Sequence, residues 1–84
     1  MSQCYVYVLR STVTERLYVG SAADIKDRLF RHNARQSKAT RHGAPWILIH
    51  SECFSSRSEA VRRELFFKTG KGRAELKDLI ASLV

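Results

Sequence analysis

The stretch RLYVGSAADIKDRLFRH, residues 16–32, decides how this chain is read. Its first half, RLYVG, is rich in β-branched and aromatic residues and stops at Gly20, so it reads as a strand ended by that glycine. Its second half offers Ser21 or Asp24 as an N-cap, then Ile25 and Leu29 at helical spacing, with Phe30 as a further apolar candidate and charges elsewhere. A helix running to about Arg35 follows from that pattern. On it Arg28 and His32 are four apart, and therefore neighbours, close to the turn after Gly20.

Working outward, CYVYVL at 4–9 repeats the strand character, and its closeness to RLYVG predicts an antiparallel hairpin. The link STVTE contains no Gly, Asn or Asp, so a looser loop than a tight turn is expected. Downstream, RQSKATRHGAP at 35–45 has no apolar period and carries Arg35, Lys38, Arg41 and His42, which predicts a basic loop. WILIH with SECF, 46–54, reads as a third strand. Ser56 and Glu59 form a capping box for a helix over 57–68, with Ala60, Val61, Leu65 and Phe67 on its buried side. TGKG interrupts, and RAELKDLIASLV closes the chain as a short helix with Leu76, Leu79, Ile80 and Leu83 facing inward. The expected class is α/β, more closely α+β: a small three-stranded antiparallel sheet flanked by three helices, in the order β-β-α-β-α-α.

A chain of 84 residues fits one small domain, 1–84, built around a single core. Fifteen Lys and Arg against eight Asp and Glu give a formal charge of +7, an excess that favours polyanions, nucleic acid first. The alternative is a solvated basic surface that only keeps a small protein soluble. Cys4 and Cys53 both fall in apolar strands without a metal-ligand spacing, so they read as reduced core residues. The N-terminus lacks a charged stretch followed by a long apolar one, and no run approaches the roughly 18 apolar residues that span a bilayer. A cytoplasmic protein with no membrane partner is the expectation.

Tyr5 and Tyr7 share one face of the first strand, and Tyr18 sits near the end of the second. Each can be an amphipathic packing residue with its hydroxyl at the rim, or a general base if a cation or guanidinium lowers its pKa from about 10. Arg28 can grip a phosphate bidentately or lie on a solvated face; the same choice applies to His32, His42 and His50. Glu64 lies beside the apolar stripe of its helix, where a carboxylate needs a partner. That partner is either a hard divalent cation or a salt bridge to Arg62, Arg63, Lys68 or Arg28. Together these groups are the parts of metal-assisted phosphodiester hydrolysis.

YVY at 5–7, YVG at 18–20, Arg28, His32 and Glu64, in that order, resemble the GIY-YIG nuclease superfamily over nearly the whole chain. In size, and with SRSEAVRRE and KTGKGR, the chain is most similar to the short stand-alone bacterial members. The resemblance implies a small antiparallel sheet flanked by helices, with the site on the sheet face and first helix. It implies catalytic roles for Tyr7, Tyr18, Arg28, His32 and Glu64, with Gly20 structural at the site. Glu64 would hold a single Mg²⁺ or Mn²⁺, Arg28 the phosphate, and His32 would assist water activation or phosphate positioning. Tyr5 stands where the first motif usually has glycine.

The function this implies is a metal-dependent endonuclease cutting DNA, with RNA as an alternative substrate, in repair, recombination or defence. Arg31, Arg35, Lys38, Arg41 and His42 would contact the nucleic acid, with little sequence choice. One competing reading is a catalytically silent GIY-YIG relative that binds nucleic acid or a partner protein. Another is an RRM-like RNA-binding domain, because LYVGS resembles the first signature strand of that fold. Against the latter, the second RRM signature is absent and a strand already precedes LYVGS.

Overall fold

The computed structural model describes residues 3–82. Strand β1 spans Cys4–Ser11, β2 Leu17–Ala22 and β3 Trp46–Phe54; helix α1 spans Ile25–Asn33, α2 Arg57–Phe67 and α3 Gly70–Ala81, with a 3-10 turn at Arg41–Gly43. The order β-β-α-β-α-α is the one the sequence predicts. The sheet runs β2-β1-β3, antiparallel throughout, with β1 central. An RRM-like domain is overturned by this arrangement, since that fold reads RNA from a four-stranded sheet.

β1 is nearly buried end to end because both faces of the sheet are covered. Its alternate residues go to different cores. Cys4, Val6 and Val8 join Val19, Ala60, Phe67 and Leu76 under α2 and α3. Tyr7 and Leu9 join Ala22, Ala44 and Trp46 on the other face, closed by Ile25 and Leu29 of α1. Tyr7 pairs with Gly20 and Val6 with Ser21, so Gly20 and Ser21 open onto opposite faces.

Several boundaries differ from the sequence reading, each for a local reason. Gly20 does not end its strand; β2 continues through Ser21 to Ala22, and Asp24 is the cap of α1, accepting from Asp27 N at 3.0 Å. α1 stops at Asn33, and Arg35 follows in the left-handed region with φ 62°. Thr69 caps α3 by accepting from Gly72 N at 3.0 Å, so the helix starts inside TGKG instead of after it. Gly72 belongs there because a Cβ would run into the Phe66 carbonyl. The loop after β1 is organised by the buried Ser11 hydroxyl, which accepts from Val13 N and Thr14 N and donates to Gly43 O at 2.6 Å.

Three apolar assignments also fail. Phe30 and Leu65 are 67% and 58% exposed, because the helix stripes face the sheet through their neighbours Leu29 and Phe66 instead. Cys53 is exposed on edge strand β3, whereas Cys4 is core. Leu83 lies outside the described residues.

Candidate active site at the edge strand

His32 sits at i+7 from Ile25 and i+3 from Leu29, on the apolar stripe of α1, and is accordingly 3% exposed. A buried imidazole needs partners on both ring nitrogens. Nε2 lies 3.0 Å from the Tyr7 hydroxyl and Nδ1 lies 2.7 Å from Thr40 Oγ1. Thr40 is itself anchored, since Trp46 Nε1 donates to its carbonyl at 2.8 Å. Tyr18 completes the cluster, its ring centroid 4.9 Å from that of His32 and 6.3 Å from that of Tyr7.

Gly20 opens the way to the Tyr7 hydroxyl. A Cβ at Gly20 would stand 2.5 Å from that oxygen and 2.6 Å from Cζ. This is the close approach that only glycine allows, and its φ is not positive, so it is the space and not the backbone conformation that selects it.

Charge reaches the same hydroxyl from two sides. Burial first, then Tyr18, push the Tyr7 hydroxyl from its ordinary 10.0 up to about 12; the Arg28 guanidinium pulls the other way and Glu64 adds to the rise. The Arg28 guanidinium alone therefore does not lower Tyr7 towards base strength, because desolvation outweighs it. His32 is shifted below its ordinary value, by burial and then by Arg28, and so stays neutral.

Arg28 is exposed and lines a cleft of about 250 Å³ with Tyr18, Arg31, His32, Gln36 and Ser37. Arg31, on the same wall, is engaged by Asp27 at 3.0 Å. Arg35, Lys38, Arg41 and His42 are all exposed along the following segment, which presents them to solvent around the buried Thr40.

Glu64 does not come from the face that carries Tyr7 and His32. It projects from α2, across the sheet, to the edge strand β2, where Ser21 Oγ donates to its Oε1 at 2.7 Å and Lys68 Nζ holds Oε2 at 2.9 Å. The site is thus assembled around the rim of β2, not on one sheet face with the first helix. Ser21 and Thr40 escape sequence reading: Ser21 passes for a helix cap, and Thr40 sits in a segment with no apolar period. The burial of His32, by contrast, is signalled by its spacing from Ile25 and Leu29.

Among the described residues no group of three or more His, Cys, Asp and Glu side chains is arranged to hold a metal, and no helix is long and apolar enough to cross a membrane. The GIY-YIG catalytic domain family matches residues 3–77. A UPF0213 protein of Staphylococcus haemolyticus is 37% identical over 92% of this chain and 94% of its own length. One from Streptococcus agalactiae is 41% identical, with 86% of this chain and 82% of the relative covered. The solution structure of a UPF0213 protein from Bacillus halodurans superposes with a TM-score of 0.55 at 29% identity, covering 92% of this chain and 84% of that one. On that match, and with the expected tyrosine, glycine, arginine, histidine and glutamate around one strand rim, the chain belongs to the GIY-YIG family, a nuclease superfamily, alongside the UPF0213 proteins.

Proposed function

We propose that this protein is a divalent-metal-dependent endonuclease that hydrolyses phosphodiester bonds in DNA. The observation that carries the reading is the buried Tyr7–His32–Thr40 chain, with His32 and the exposed Arg28 lining one cleft and Glu64 hydrogen-bonded to Ser21 next to Gly20. GIY-YIG nucleases act on nucleic acid and generally use divalent metal ions, and both expectations suit these residues.

Glu64 fits a single hard cation. It offers anionic oxygen, Ser21 fixes its orientation, and its second oxygen is held only by an exposed, displaceable Lys68. With Glu64 as the one protein carboxylate, water and phosphate oxygens would complete such an ion's shell, a set that suits Mg²⁺. When bound, the ion would supply charge neutralisation at the scissile phosphate.

The protein's own groups do the rest. Arg28, with its planar fork open to the cleft, binds the non-bridging phosphate oxygens and stabilises the charge that builds up on them. Tyr7, with its hydroxyl held neutral, accepts a proton from the attacking water only as its own proton moves to His32 Nε2. That relay requires the tautomer in which Nδ1–H donates to Thr40 Oγ1. Burial and Arg28 keep His32 neutral, so that Nε2 presents a lone pair to the Tyr7 hydroxyl. The water oxygen attacks phosphorus, the bond to the sugar oxygen breaks and that oxygen takes a proton from solvent, His32 gives its proton back to solvent as product leaves, and Tyr18 in the cleft wall hydrogen-bonds the phosphate. Arg35, Lys38, Arg41 and His42 hold the flanking backbone, with Arg31 joining them as Asp27 releases it.

The test is cleavage of labelled single-stranded, duplex, flapped and branched DNA, and of RNA, with Mg²⁺ or Mn²⁺, by wild type and Glu64→Ala. Metal-dependent cutting lost in Glu64→Ala is expected. Wild-type protein that binds these substrates but cuts none with either metal overturns the reading and leaves the silent relative.

A further inference from the structure

A second cleft, of about 340 Å³, lies on the far side of Arg28. Its polar lining comes from Gln3, Ser21, Arg28 and Arg57, over a floor that includes Ala22 and Ala23. No carboxylate lines it, although Glu64 is tied to the back of Ser21 through the 2.7 Å hydrogen bond. Among the described residues neither Arg28 nor Arg57 makes an ion pair. Two unpaired guanidiniums facing one concave space attract an anion with oxygen acceptors.

Arg57 is the first residue of α2, just after the Ser56 cap. A cation there opposes the helix dipole, where an acidic residue would help the helix. Helix stability therefore does not account for this arginine. Arg28 lines both this cleft and the catalytic one, so a ligand in the second cleft lies directly beside a phosphate held in the first.

We propose that the Arg28–Arg57 cleft is a second phosphate site, which takes the backbone phosphate adjacent to the one that is cut. The proposal rests on the nuclease reading above. The nucleic-acid strand crosses Arg28 as a ridge, with the basic segment from Arg35 to His42 on one side and Arg57 on the other. The small side chains of Ala22 and Ala23 leave room for the backbone to descend towards Arg57.

The test is fluorescence anisotropy of a short labelled DNA duplex across a salt series in EDTA, which keeps cleavage out of the measurement. Wild type is compared with Arg57→Ala, Arg57→Lys and Arg62→Ala, Arg62 being an exposed arginine five residues further along α2. Loss of one phosphate contact flattens the slope of log K against log salt by about 0.9. Arg57→Ala should show that change with several-fold weaker binding, while Arg57→Lys keeps the slope and Arg62→Ala overlays wild type. An Arg57→Ala slope equal to wild type, an equal loss in Arg62→Ala, or a wild type without salt-dependent binding overturns the site. Wild type that shows the slope difference yet never cuts with metal refutes the nuclease reading and leaves the phosphate site standing. Cutting with no slope difference does the reverse.

Discussion

Replacing Gly20 with alanine tests whether the space above the Tyr7 hydroxyl is what the strand rim is built around. The added methyl would lie 2.5 Å from Tyr7 Oη, 2.6 Å from Cζ and 3.1 Å from Tyr18 Cε2. Tyr7 is 1% exposed and backed by Leu9 and Trp46, so its ring has no free direction of retreat. Restoring ordinary contact needs a shift of roughly 1 Å, enough to break a hydrogen bond that starts at 3.0 Å. Overpacking costs about 1–3 kcal/mol. Leaving a buried His32 nitrogen unsatisfied adds about 1–3 kcal/mol. A total near 3 kcal/mol in a domain of this size lowers Tm by about 12–24 °C. Backbone entropy alone predicts the opposite sign, because Gly→Ala at a compatible φ stabilises by about 0.4–1 kcal/mol. The assay is urea unfolding of wild type and Gly20→Ala, repeated in a Tyr7→Leu background. There the shorter side chain ends before the clash and the new methyl fills vacated space, so its cost should fall below about 1 kcal/mol by the non-additivity expected of touching residues. Equal costs in the two backgrounds would refute the argument.

Alkaline unfolding should carry the signature of Tyr7. Its folded pKa is raised from 10.0 to about 12, so its contribution is fully present below pH 10 and is lost as pH rises through about 12. The loss is about 3 kcal/mol, and a Tyr7→Phe protein whose stability falls as steeply over that window would contradict it. At the acid end His32 has its folded pKa below 6.5, so the unfolded chain takes up the proton first and stability falls as pH drops below 6.5. His32→Gln should lack this component in pH-dependent denaturation, and wild-type cleavage should decline at lower pH still, as pH falls through the folded pKa of His32. Ser21→Ala, which frees Glu64 Oε1, should weaken Mn²⁺ binding by about 10-fold or more while leaving the rate at saturating metal near wild type. Unchanged Mn²⁺ affinity by titration calorimetry would remove Ser21 from the site.

The fold was legible because each element carries its own periodicity. The β-branched and aromatic run CYVYVL, the spacing of Ile25 and Leu29, and the Ser56 cap are local signals that the structure realises, although the Glu59 carboxylate accepts from the Ser56 hydroxyl and not from its backbone N–H. What failed depended on a partner distant in sequence. Phe30 and Leu65 have the right residue type, but the sheet lies against the adjacent positions. Thr40 sits in a polar, basic segment with nothing to mark it as core, yet it is 1% exposed because it fills the valence of His32 Nδ1 and carries the Trp46 indole. Ser21 reads as a cap because serine before a helix usually is one; only the pairing of Val6 with Ser21 turns it towards α2.

The same pairing explains why the site needs an edge strand. Successive residues of a strand point to opposite faces, so Gly20 lies over the Tyr7 hydroxyl of the central strand on one face while Ser21 meets the Glu64 carboxylate on the other. β2 has β1 on one side only, so Gly20 above Tyr7 and the Ser21–Glu64 pair share an open rim. Tyr7 and His32, the proton-handling residues of the proposed mechanism, are packed in the core under α1, where desolvation raises one and lowers the other so that both stay neutral, while the half-buried Glu64 beside Lys68 keeps access to the water a hard cation would need. One strand with a glycine at its rim reconciles the two environments.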